Sequence, residues 1–532
     1  MNENVITNLL DARVNEDGER PFVWCEGERL TFADMQARSD QVAAGLDQIG
    51  VRQGDRVALL TPNRVEMLEL YFAVARIGAT QVPLNAFLKG EFLRYQLDDA
   101  QATTLVTDEA GYRAVLPLLS DLPDLVRLIV LDDHAVQTDH AVDVIPYGDL
   151  RACSSAPPRP MLTPDDLMSI VYTSGTTGLP KGCMLSHGYY VRVARCGVDF
   201  FGLQQDDVHL TAMPMFHAAA RLLVVGSALC VGNSVAIMSE FSPSRVLDLA
   251  VELGVTVWGG VGAMGAALLN TPASHKDLAH QIRLAWFVPM SVEMQDAMKE
   301  RFDIPDIMTE LYGQTECFPV VFNHLNGERE PASDGAAAND LEVLLVDDDG
   351  IEVPVGEPGE ITLRPRHRHA MFDGYWRKPE ATLEAFRGLW YHTGDFGRRD
   401  ERGFVSFVDR KRDALRRRGE NVSSVELESA IITHPNIAEA AVHAVPSALT
   451  EDDIKACIVL GDGPELTPEA AFEFFRSTLP YFAIPRFVEI LDELPRNAVE
   501  RVMKHLLRDR GVTAETWDFA ALGFSVTRSE RR

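Results

Sequence analysis

Short apolar segments alternate with segments of helical spacing over the first 400 residues. "DRVALLTP" is followed by "NRVEMLELYFAVARIG" and "ATQVPL", and the same order returns in "SVAIMS", "SRVLDLAVELG" and "VTVWGG". Ser242 and Pro243 predict the start of the helix in the second group, and Gly254 predicts its end. Because strands that alternate with helices form mostly parallel sheets covered by helices, this order predicts an α/β fold.

The pattern changes near residue 410. The strand-like "GFVSFVD" leads into the charged stretch "RKRDALRRRGENVSS", and shorter strands and helices follow. Ser423 and Glu426 have the spacing of a capping box at a helix start. We therefore expect a large α/β domain over residues 1–409 and a small, mobile α+β domain over residues 410–532, joined by a polar hinge.

Composition narrows the function. The chain has 532 residues and a formal net charge of −29. Such a surface repels nucleic acid and anionic membranes, so we expect neither as a partner, and an anionic ligand needs a local basic pocket. The apolar stretch from Leu222 to Met238 is broken by glycine and polar residues, which favours a buried helix and strand over membrane insertion. Seven cysteines without a C-x-x-C pair, after a polar start, favour a cytoplasmic location.

The segment "YTSGTTGLPKG", from Tyr172 to Gly182, predicts a phosphate site. It is not a Walker loop, because Lys181 follows Pro180, which has no N–H to offer a phosphate. A flexible linker is the alternative, against which the clustered hydroxyl residues count. The residues that would meet phosphate through bare backbone, hydroxyl groups or charge are Thr173, Ser174, Gly175, Thr176, Thr177 and Lys181.

Five motifs in order resemble those of the adenylate-forming superfamily, which includes acyl-CoA synthetases, firefly luciferase and the adenylation domains of peptide synthetases. They are "YTSGTTGLPKG", "MPMFH", "LYGQTE", "YHTGD" and "DRKRDALRRRGENVSSVELE". In detail the chain most resembles the carnitine-CoA ligase branch of the acyl-CoA synthetases. The resemblance implies ATP, Mg²⁺ and CoA as the small molecules used, and it is compatible with a homodimer.

The resemblance also implies roles for residues of these motifs. Tyr312 would stack on adenine, and Asp395 would bind the ribose hydroxyls together with Arg410. Thr315 and Glu316 would lie at the phosphates, with Glu316 holding Mg²⁺, and both would act in catalysis with Lys181. The positions implied at ATP beyond the first loop are Val288, Tyr312, Gly313, Thr315, Asp395 and Arg410.

The acid pocket is predicted around His217 of "MPMFH", for which a core position is the alternative. Arg221 follows four residues later, so helix geometry places both on one face. Arg221 would pair with a second carboxylate or another anion, or it forms a structural ion pair. The segment that matches the family's Gly-Gly-Ala-Pro-like sequence reads "WFVP" (Trp286 to Pro289), so Phe287 is bulky where the family has glycine, and Trp258 lies on a neighbouring predicted strand. Large side chains there would shorten the acid tunnel and favour a small or compact aromatic acid. The alternative is a shifted loop with both rings in the core.

The charged stretch corresponds to the family's hinge and CoA side. Its hinge position matches Arg412, and Gly419 would approach the CoA thiol. The run "RRR" at residues 416–418 is either a solvated basic turn or a contact for the CoA phosphates.

The family's adenylation lysine is replaced. Its position holds Arg501, and Lys504 lies three residues later. Arg501 substitutes for it, or Lys504 moves in, or adenylation is weak or aimed at an unusual acid. We favour Arg501, because the positive charge is what the transition state needs.

These observations predict an AMP-forming ligase that adenylates a small or compact aromatic acid and transfers it to CoA. One alternative is a CoA-independent enzyme that passes the activated acid to an amine, for example an ATP-dependent diazotase using nitrite and an aromatic amine. Another is a nucleotide-binding protein without turnover, against which Lys181, Glu316 and Asp395 count.

Overall fold

The chain divides into two compact units. The computed structural model describes residues 4–132, 142–173, 180–330, 332–410, 415–417, 420–422, 424–446, 452–461, 463, 466–479, 483–496 and 502–525. The first unit comprises Met1–Val343, Leu363–Tyr391 and Glu401–Ser406. The second comprises Leu344–Thr362, His392–Asp400 and Phe407–Arg532, so the chain passes between the units more than once.

Helices occur in both units. The α-helices are α1 (Ile6–Asp17), α2 (Phe32–Gln48), α3 (Val65–Arg76), α4 (Gly90–Asp99), α5 (Glu109–Val115), α6 (Tyr147–Arg151), α7 (His187–Phe201), α8 (Ser227–Val231), α9 (Pro243–Leu253), α10 (Gly262–Leu269), α11 (Val292–Phe302), α12 (Pro379–Ala385), α13 (Ser424–Ile431), α14 (Pro468–Thr478) and α15 (Lys504–Arg510). Two 3₁₀ turns, Leu116–Asp121 and His275–Leu278, and a π-helical segment, Ala220–Gly226, accompany them.

The first sixteen strands precede residue 330. They are β1 (Pro21–Cys25), β2 (Glu28–Thr31), β3 (Arg56–Leu60), β4 (Thr80–Leu84), β5 (Thr104–Thr107), β6 (Arg127–Val130), β7 (Asp143–Pro146), β8 (Leu167–Thr173), β9 (Lys181–Ser186), β10 (Val208–Thr211), β11 (Ser234–Ile237), β12 (Val257–Val261), β13 (Leu284–Val288), β14 (Asp306–Met308), β15 (Leu311–Gln314) and β16 (Cys317–Phe322).

The remaining strands follow residue 330. They are β17 (Ala336–Ala337), β18 (Leu341–Val346), β19 (Gly359–Pro365), β20 (Phe386–Arg387), β21 (Trp390–Arg399), β22 (Val405–Arg410), β23 (Leu415–Arg417), β24 (Glu420–Val422), β25 (Ile437–Pro446), β26 (Asp452–Leu460), β27 (Phe487–Ile490) and β28 (Trp517–Asp518).

Two seven-stranded sheets form the frame of the first unit. One has the order β7-β6-β5-β3-β4-β8-β9 and the other β14-β13-β12-β10-β11-β1-β2. Each is parallel except at one edge, where β9 and β2 pair antiparallel to their neighbours. Central strands such as β4 and β5 are buried throughout, as expected for parallel strands covered on both faces. The mostly parallel α/β fold predicted from the alternating segments is confirmed.

The predicted local signals fall where the elements begin and end. Helix α9 starts at Pro243 after Ser242, and Gly254 ends it with a positive φ of 64°. The apolar stretch from residue 222 to 238 forms the π-helical segment, α8 and β11, as predicted. Among the described residues, no helix is long and apolar enough to cross a membrane. The predicted capping-box residue Ser423 lies outside the described residues.

The second unit contains a four-stranded sheet of its own. Its order is β25-β26-β27-β28, with β26 and β27 parallel and the outer pairs antiparallel. Side chains of β26 form one apolar cluster with Phe472 and Phe475 of α14 and with Leu427 and Ile431 of α13. The small α+β fold predicted for the end of the chain is confirmed.

Candidate functional site

The predicted phosphate loop connects two paired strands. Thr173 ends β8 and Lys181 begins β9, and the two residues are antiparallel partners. The Thr173 hydroxyl donates to the Lys181 carbonyl at 3.5 Å. Both strands are fixed in the sheet, so the loop starts and ends on rigid backbone. Ser174, Gly175, Thr176 and Thr177 lie outside the described residues.

The "LYGQTE" motif forms a second hairpin. Gln314 pairs with Cys317 across β15 and β16, which leaves Thr315 and Glu316 at the two-residue turn. Gly313 is required by close packing, because a Cβ there would lie 2.5 Å from the Phe318 ring. Tyr312 pairs with Val321 and is half-buried. The strand pairing thus displays the polar end of the motif at the tip of the hairpin.

Tyr375 links the cation of the first hairpin with the carboxylate of the second. The Lys181 Nζ lies 4.9 Å from the centre of the Tyr375 ring. The Tyr375 hydroxyl donates to the Glu316 Oε1 at 2.9 Å, and Glu316 is only 8 % exposed. The structure therefore brings Lys181, Thr173 and Glu316 into one region of the first unit.

Burial keeps the neutral groups of this region protonated. Burial and the Glu316 charge raise the pKa of the Tyr375 hydroxyl, so it remains a hydrogen-bond donor to Glu316. The same two causes raise the pKa of the Cys183 thiol, which lies in β9 opposite Tyr375. Cys183 therefore stays a thiol, and its position beside the site does not make it a nucleophile.

Helix α7 holds the second hairpin in place. The Tyr189 hydroxyl donates to the Thr315 carbonyl at 3.0 Å. Arg192 donates to the Phe318 carbonyl at 2.6 Å and forms an ion pair with Asp340 at 2.7 Å. Because α7 begins directly after β9, with the Ser186 hydroxyl capping it, both hairpins are fixed to one rigid element.

Helix α4 holds both ends of the phosphate loop. The Tyr172 hydroxyl donates to the Asp99 carboxylate at 2.8 Å, before the loop. The Tyr95 hydroxyl donates to the Pro180 carbonyl at 3.0 Å, after it. Lys378 forms an ion pair with Asp99 and so ties a third segment to the same carboxylate. These contacts fix the span that the loop must bridge.

The predicted acid-pocket residues are not gathered in one environment. His217 is exposed and precedes the helical segment, whereas Arg221 is 1 % exposed within it. The prediction that His217 and Arg221 share one helix face is therefore wrong: the helix starts after His217, so the four-residue spacing does not apply. The centre of the His217 ring lies 4.6 Å from that of Phe216.

Trp258 and Phe287 lie in the buried core of the first unit. Their ring centres are 4.7 Å apart in an edge-to-face arrangement on the adjacent strands β12 and β13. They pack with Leu268, Met298 and Phe302 in one apolar cluster. This placement corresponds to the core alternative that the sequence left open. Val288, at the end of β13, is half-buried and pairs with Val261.

Asp395 belongs to the second unit and is buried there. Its backbone N–H donates to the Thr393 hydroxyl at 3.1 Å, and that hydroxyl donates to the Ile361 carbonyl at 2.7 Å. The Glu360 carboxylate accepts from the Gly394 N–H at 3.2 Å and lies 3.0 Å from the His392 Nδ1. These bonds fix the backbone of "HTGD" at the carboxylate.

The other predicted residues lie in the second half of the chain, and several of them are outside the described residues. Arg410 ends β22, and its side chain is outside the described part, as are Arg412, Gly419 and Arg501. Lys504 begins α15, where its Nζ donates to the Ser424 hydroxyl at 2.6 Å and lies 2.8 Å from the Glu428 carboxylate. The backbone of residues 415–417 and 420–422 forms a short antiparallel pair.

A model of the AMP-binding enzyme family matches residues 10–376 of the chain, and a model of the AMP-binding enzyme C-terminal domain matches residues 426–501. The chain belongs to the AMP-binding enzyme family. Among curated relatives, a crotonobetaine/carnitine–CoA ligase of Salmonella paratyphi B is 32 % identical over 493 residues, which cover 92 % of this chain and 95 % of the relative. The predicted AMP-forming acid–CoA ligase-like enzyme is thereby confirmed.

Solved structures of AMP-binding enzymes share the fold. The anthranilate CoA ligase AuaEII in complex with anthranoyl-AMP is 26 % identical with a TM-score of 0.84, covering 95 % of this chain and 97 % of that one. ATP-bound MatB from Rhodopseudomonas palustris is 28 % identical with a TM-score of 0.82, covering 95 % and 98 %. O-succinylbenzoate coenzyme A synthetase from Bacillus subtilis in complex with AMP is 26 % identical with a TM-score of 0.80, covering 95 % and 98 %.

In this AMP-binding enzyme, sequence reasoning missed the residues that join the motifs. Tyr375 lies 59 positions after Glu316, and Asp99 lies 73 positions before Tyr172. A single tyrosine or aspartate carries no spacing signal of its own. The fixed geometry of the two hairpins depends on these distant side chains.

Proposed function

We propose that the chain is an ATP-dependent ligase that adenylates a small or compact aromatic carboxylic acid and transfers the acyl group to CoA. The observation that carries this proposal is the placement of Lys181 and Glu316 on the ring and the hydroxyl of Tyr375. A cation and a carboxylate beside two hairpin tips suit a triphosphate and its metal ion. Membership of the AMP-binding enzyme family supports the nucleotide assignment.

The first step is attack by a carboxylate oxygen of the acid on the α-phosphorus of ATP. The bond from that phosphorus to the bridging oxygen breaks, and pyrophosphate leaves with the electron pair. The Lys181 ammonium balances the charge that develops on the phosphate oxygens, and the loop hydroxyls donate hydrogen bonds to those oxygens. In the second step the CoA sulfur, whose proton passes to solvent, attacks the acyl carbon. The bond from that carbon to the phosphate oxygen breaks, and AMP leaves with the electron pair.

Mg²⁺ fits the described residues at Glu316. In nucleotide sites Mg²⁺ is usually bound through one or two carboxylates, with phosphate oxygens and water as its other ligands. The described part of the chain holds no group of three or more His, Cys, Asp or Glu side chains suited to a metal. A metal bound mainly by substrate phosphates, with Glu316 as its protein ligand, is consistent with that finding, and it would neutralise phosphate charge.

The nucleotide assignment extends to the other motif residues. We assign adenine stacking to Tyr312, beside Gly313 and Val288, and a phosphate contact to Thr315. We assign the ribose hydroxyls to Asp395 together with Arg410. The hydrogen bonds that fix the backbone before Asp395 support a rigidly placed carboxylate.

Arg501 is our candidate for the cation that contacts the acid carboxylate and the α-phosphate. Lys504 is engaged by Ser424 and Glu428, so moving it into the site would break an ion pair and a hydrogen bond. We propose a domain boundary between residues 409 and 410, with the hinge near Arg412 and with Gly419 on the CoA side. A hinge there would let one site serve both steps.

The proposed class of acid rests on the size of the side chains near the pocket and on the names of similar enzymes. The names of similar enzymes contain crotonobetaine, carnitine, anthranilate and O-succinylbenzoate, which are small or compact acids. The exposed His217 is the acid-pocket residue that a ligand can reach without repacking. Trp258 and Phe287 would limit the pocket by filling the space behind it rather than by lining it.

Pyrophosphate release with a panel of acids tests the proposal. The panel contains short aliphatic acids, aromatic acids, a long-chain fatty acid and nitrite, each with and without CoA or an aromatic amine, and products are identified by mass. We expect a thioester that forms only with CoA and a small or aromatic acid. A CoA-independent product from nitrite and amine would replace the proposal, and no pyrophosphate release under any condition would refute turnover.

The role of Arg501 has its own test. Arg501→Ala should lower the rate of adenylation more than the rate of thioester formation from supplied acyl adenylate, because the charge is needed at the α-phosphate. Lys504→Ala is the matched control and should change stability more than adenylation. Equal loss of both steps in Arg501→Ala would contradict the assignment.

A further inference from the structure

Arg221 is a buried cation whose charge is not balanced by a carboxylate among the described residues. It lies in the π-helical segment and is 1 % exposed. Its Nη1 donates to the Gln81 side-chain oxygen at 3.4 Å, and its Cζ lies 5.7 Å from the centre of the Tyr190 ring. Its Nε and Nη2 have no hydrogen-bond partner within the described chain.

The other buried arginine described in the first unit, Arg76, is paired, and so is the half-buried Arg192. Arg76 forms ion pairs with Asp11 at 2.7 Å and Asp40 at 3.1 Å. Arg192 forms one with Asp340 at 2.7 Å. Removing a charge from water is costly unless a partner of opposite charge accompanies it. Arg221 departs from the pattern that this same unit uses elsewhere.

Tyr71 supplies a second unpaired donor to the same place. Its hydroxyl is buried without a hydrogen-bond partner among the described residues. Its ring centre lies 6.2 Å from that of Tyr190, and the Arg221 charge acts on its hydroxyl. Burial raises the pKa of Tyr71, so this hydroxyl keeps its proton and remains able to donate.

The neighbouring polar groups are already used. The Gln81 amide donates to the Tyr71 carbonyl at 2.7 Å, which orients its oxygen toward Arg221. The Tyr190 hydroxyl and the Ser169 hydroxyl share a hydrogen bond at 2.7 Å. Each of the unsatisfied groups at Arg221 and Tyr71 can therefore donate a hydrogen bond, and a species that accepts several hydrogen bonds at once suits them.

We propose that Arg221 and Tyr71 bind a halide ion, with chloride as the physiological occupant, between α3, α7 and the π-helical segment. A monovalent anion balances the guanidinium charge and accepts from Nε, Nη2 and the hydroxyl. A small spherical ion suits a closely packed interior better than a larger oxyanion. The ion is structural, and it does not rest on the substrate or CoA steps proposed above.

Chloride should stabilise the folded protein, because a ligand that binds only the folded state shifts the unfolding equilibrium. Thermal unfolding of the full chain is measured at constant ionic strength while gluconate is replaced by chloride. We expect a saturable rise of the midpoint of about 2 °C or more. A midpoint independent of chloride would overturn the proposal.

Tyr71→Phe removes one donor without removing the buried charge. It should shift the half-saturating chloride concentration upward about tenfold, as expected for loss of one hydrogen bond to a charged group. Tyr112→Phe is the matched control, because the Tyr112 hydroxyl is also buried without a partner but is not part of this cluster. Equal chloride dependence in both variants and the wild type would refute the site.

Bromide locates the ion directly. Crystals grown in bromide should show an anomalous peak within hydrogen-bond distance of the Arg221 Nε and Nη2, and Arg221→Met should abolish it. Water or a carboxylate side chain at that position would overturn the proposal. A bromide peak without chloride-dependent stability would mean binding at crystal concentration only and would also overturn it.

Discussion

Two regions of the first unit are held together by different contacts. Lys181 and Glu316 meet through the ring and hydroxyl of Tyr375, and hydroxyl groups of α4 and α7 fix the backbone on either side. Trp258 and Phe287 meet ring against ring, with no more than 1 % of either exposed.

The two kinds of contact differ in whether they are directional. Hydrogen bonds and ion pairs fix the position of a group, whereas apolar packing rewards filled volume. A single isosteric substitution in the polar region should therefore change activity without unfolding the protein. The aromatic core should respond to lost volume through stability and hardly at all through chemistry.

Trp258→Ala should have the largest effect. Removing a buried indole from this cluster should lower the free energy of unfolding by about 3–5 kcal/mol. Urea unfolding measures it, with Trp390→Ala as the control, because Trp390 is only half-buried. Unchanged stability combined with activity on longer acids would show that Trp258 lines the pocket instead.

Glu316→Gln should come next and act on chemistry. The amide can still accept from Tyr375 but carries no charge for Mg²⁺ or phosphate, so pyrophosphate release should fall about 10²–10³-fold. Single-turnover kinetics with unfolding in parallel measures both effects. Glu342→Gln, at an ion pair with Arg364, is the control and should change the rate less than twofold. A folded Glu316→Gln variant with the wild-type rate would contradict the assignment.

Acid should destabilise the first unit through His209, which packs with Trp286 and Phe201. Its Nε2 accepts from the Trp286 indole at 2.9 Å, and burial lowers its pKa to about 3 from the ordinary 6.5. Between these values the unfolded chain binds the proton and the folded protein does not. Stability therefore falls as pH drops below 6.5, by about 1.4 kcal/mol per pH unit from this group.

His209→Gln tests that contribution. The variant should show a slope of unfolding free energy against pH that is shallower by about 1.4 kcal/mol per unit between pH 6 and pH 4. Urea unfolding at each pH gives the slopes, and circular dichroism at pH 7 checks that the variant is folded. Equal slopes for the variant and the wild type would show that His209 does not contribute to the pH dependence of stability.

Asp99→Asn should have the smallest effect, and it tests how α4 holds the phosphate loop. It weakens the bonds to Tyr172 and Lys378 that anchor the phosphate loop, so the KM for ATP should rise about tenfold while kcat changes little. Steady-state kinetics with varied ATP measures it. Asp98→Asn, at the exposed neighbouring position, is the control. An equal effect of both substitutions would show that α4 does not position the loop.

The sequence predicted the fold through features that are local along the chain. The strand–helix alternation gave the parallel sheets, and Pro243 and Gly254 gave the ends of α9. The same locality let the hydroxyl-rich loop and "LYGQTE" be recognised as site segments. The prediction from local spacing was wrong at His217 and Arg221. Their four-residue spacing predicted a shared helix face, but the helix begins after His217.

The α/β architecture, the family and the segments at which nucleotide chemistry is proposed can be read from the amino-acid sequence, because they depend on periodicity and on short contiguous motifs. The folded chain was needed to see that Tyr375 joins Lys181 to Glu316, that Trp258 lies in the core, and that Arg221 is buried without a carboxylate partner among the described residues. Those facts depend on contacts between residues distant in the chain, and a contact of that kind leaves no periodic signal in one sequence.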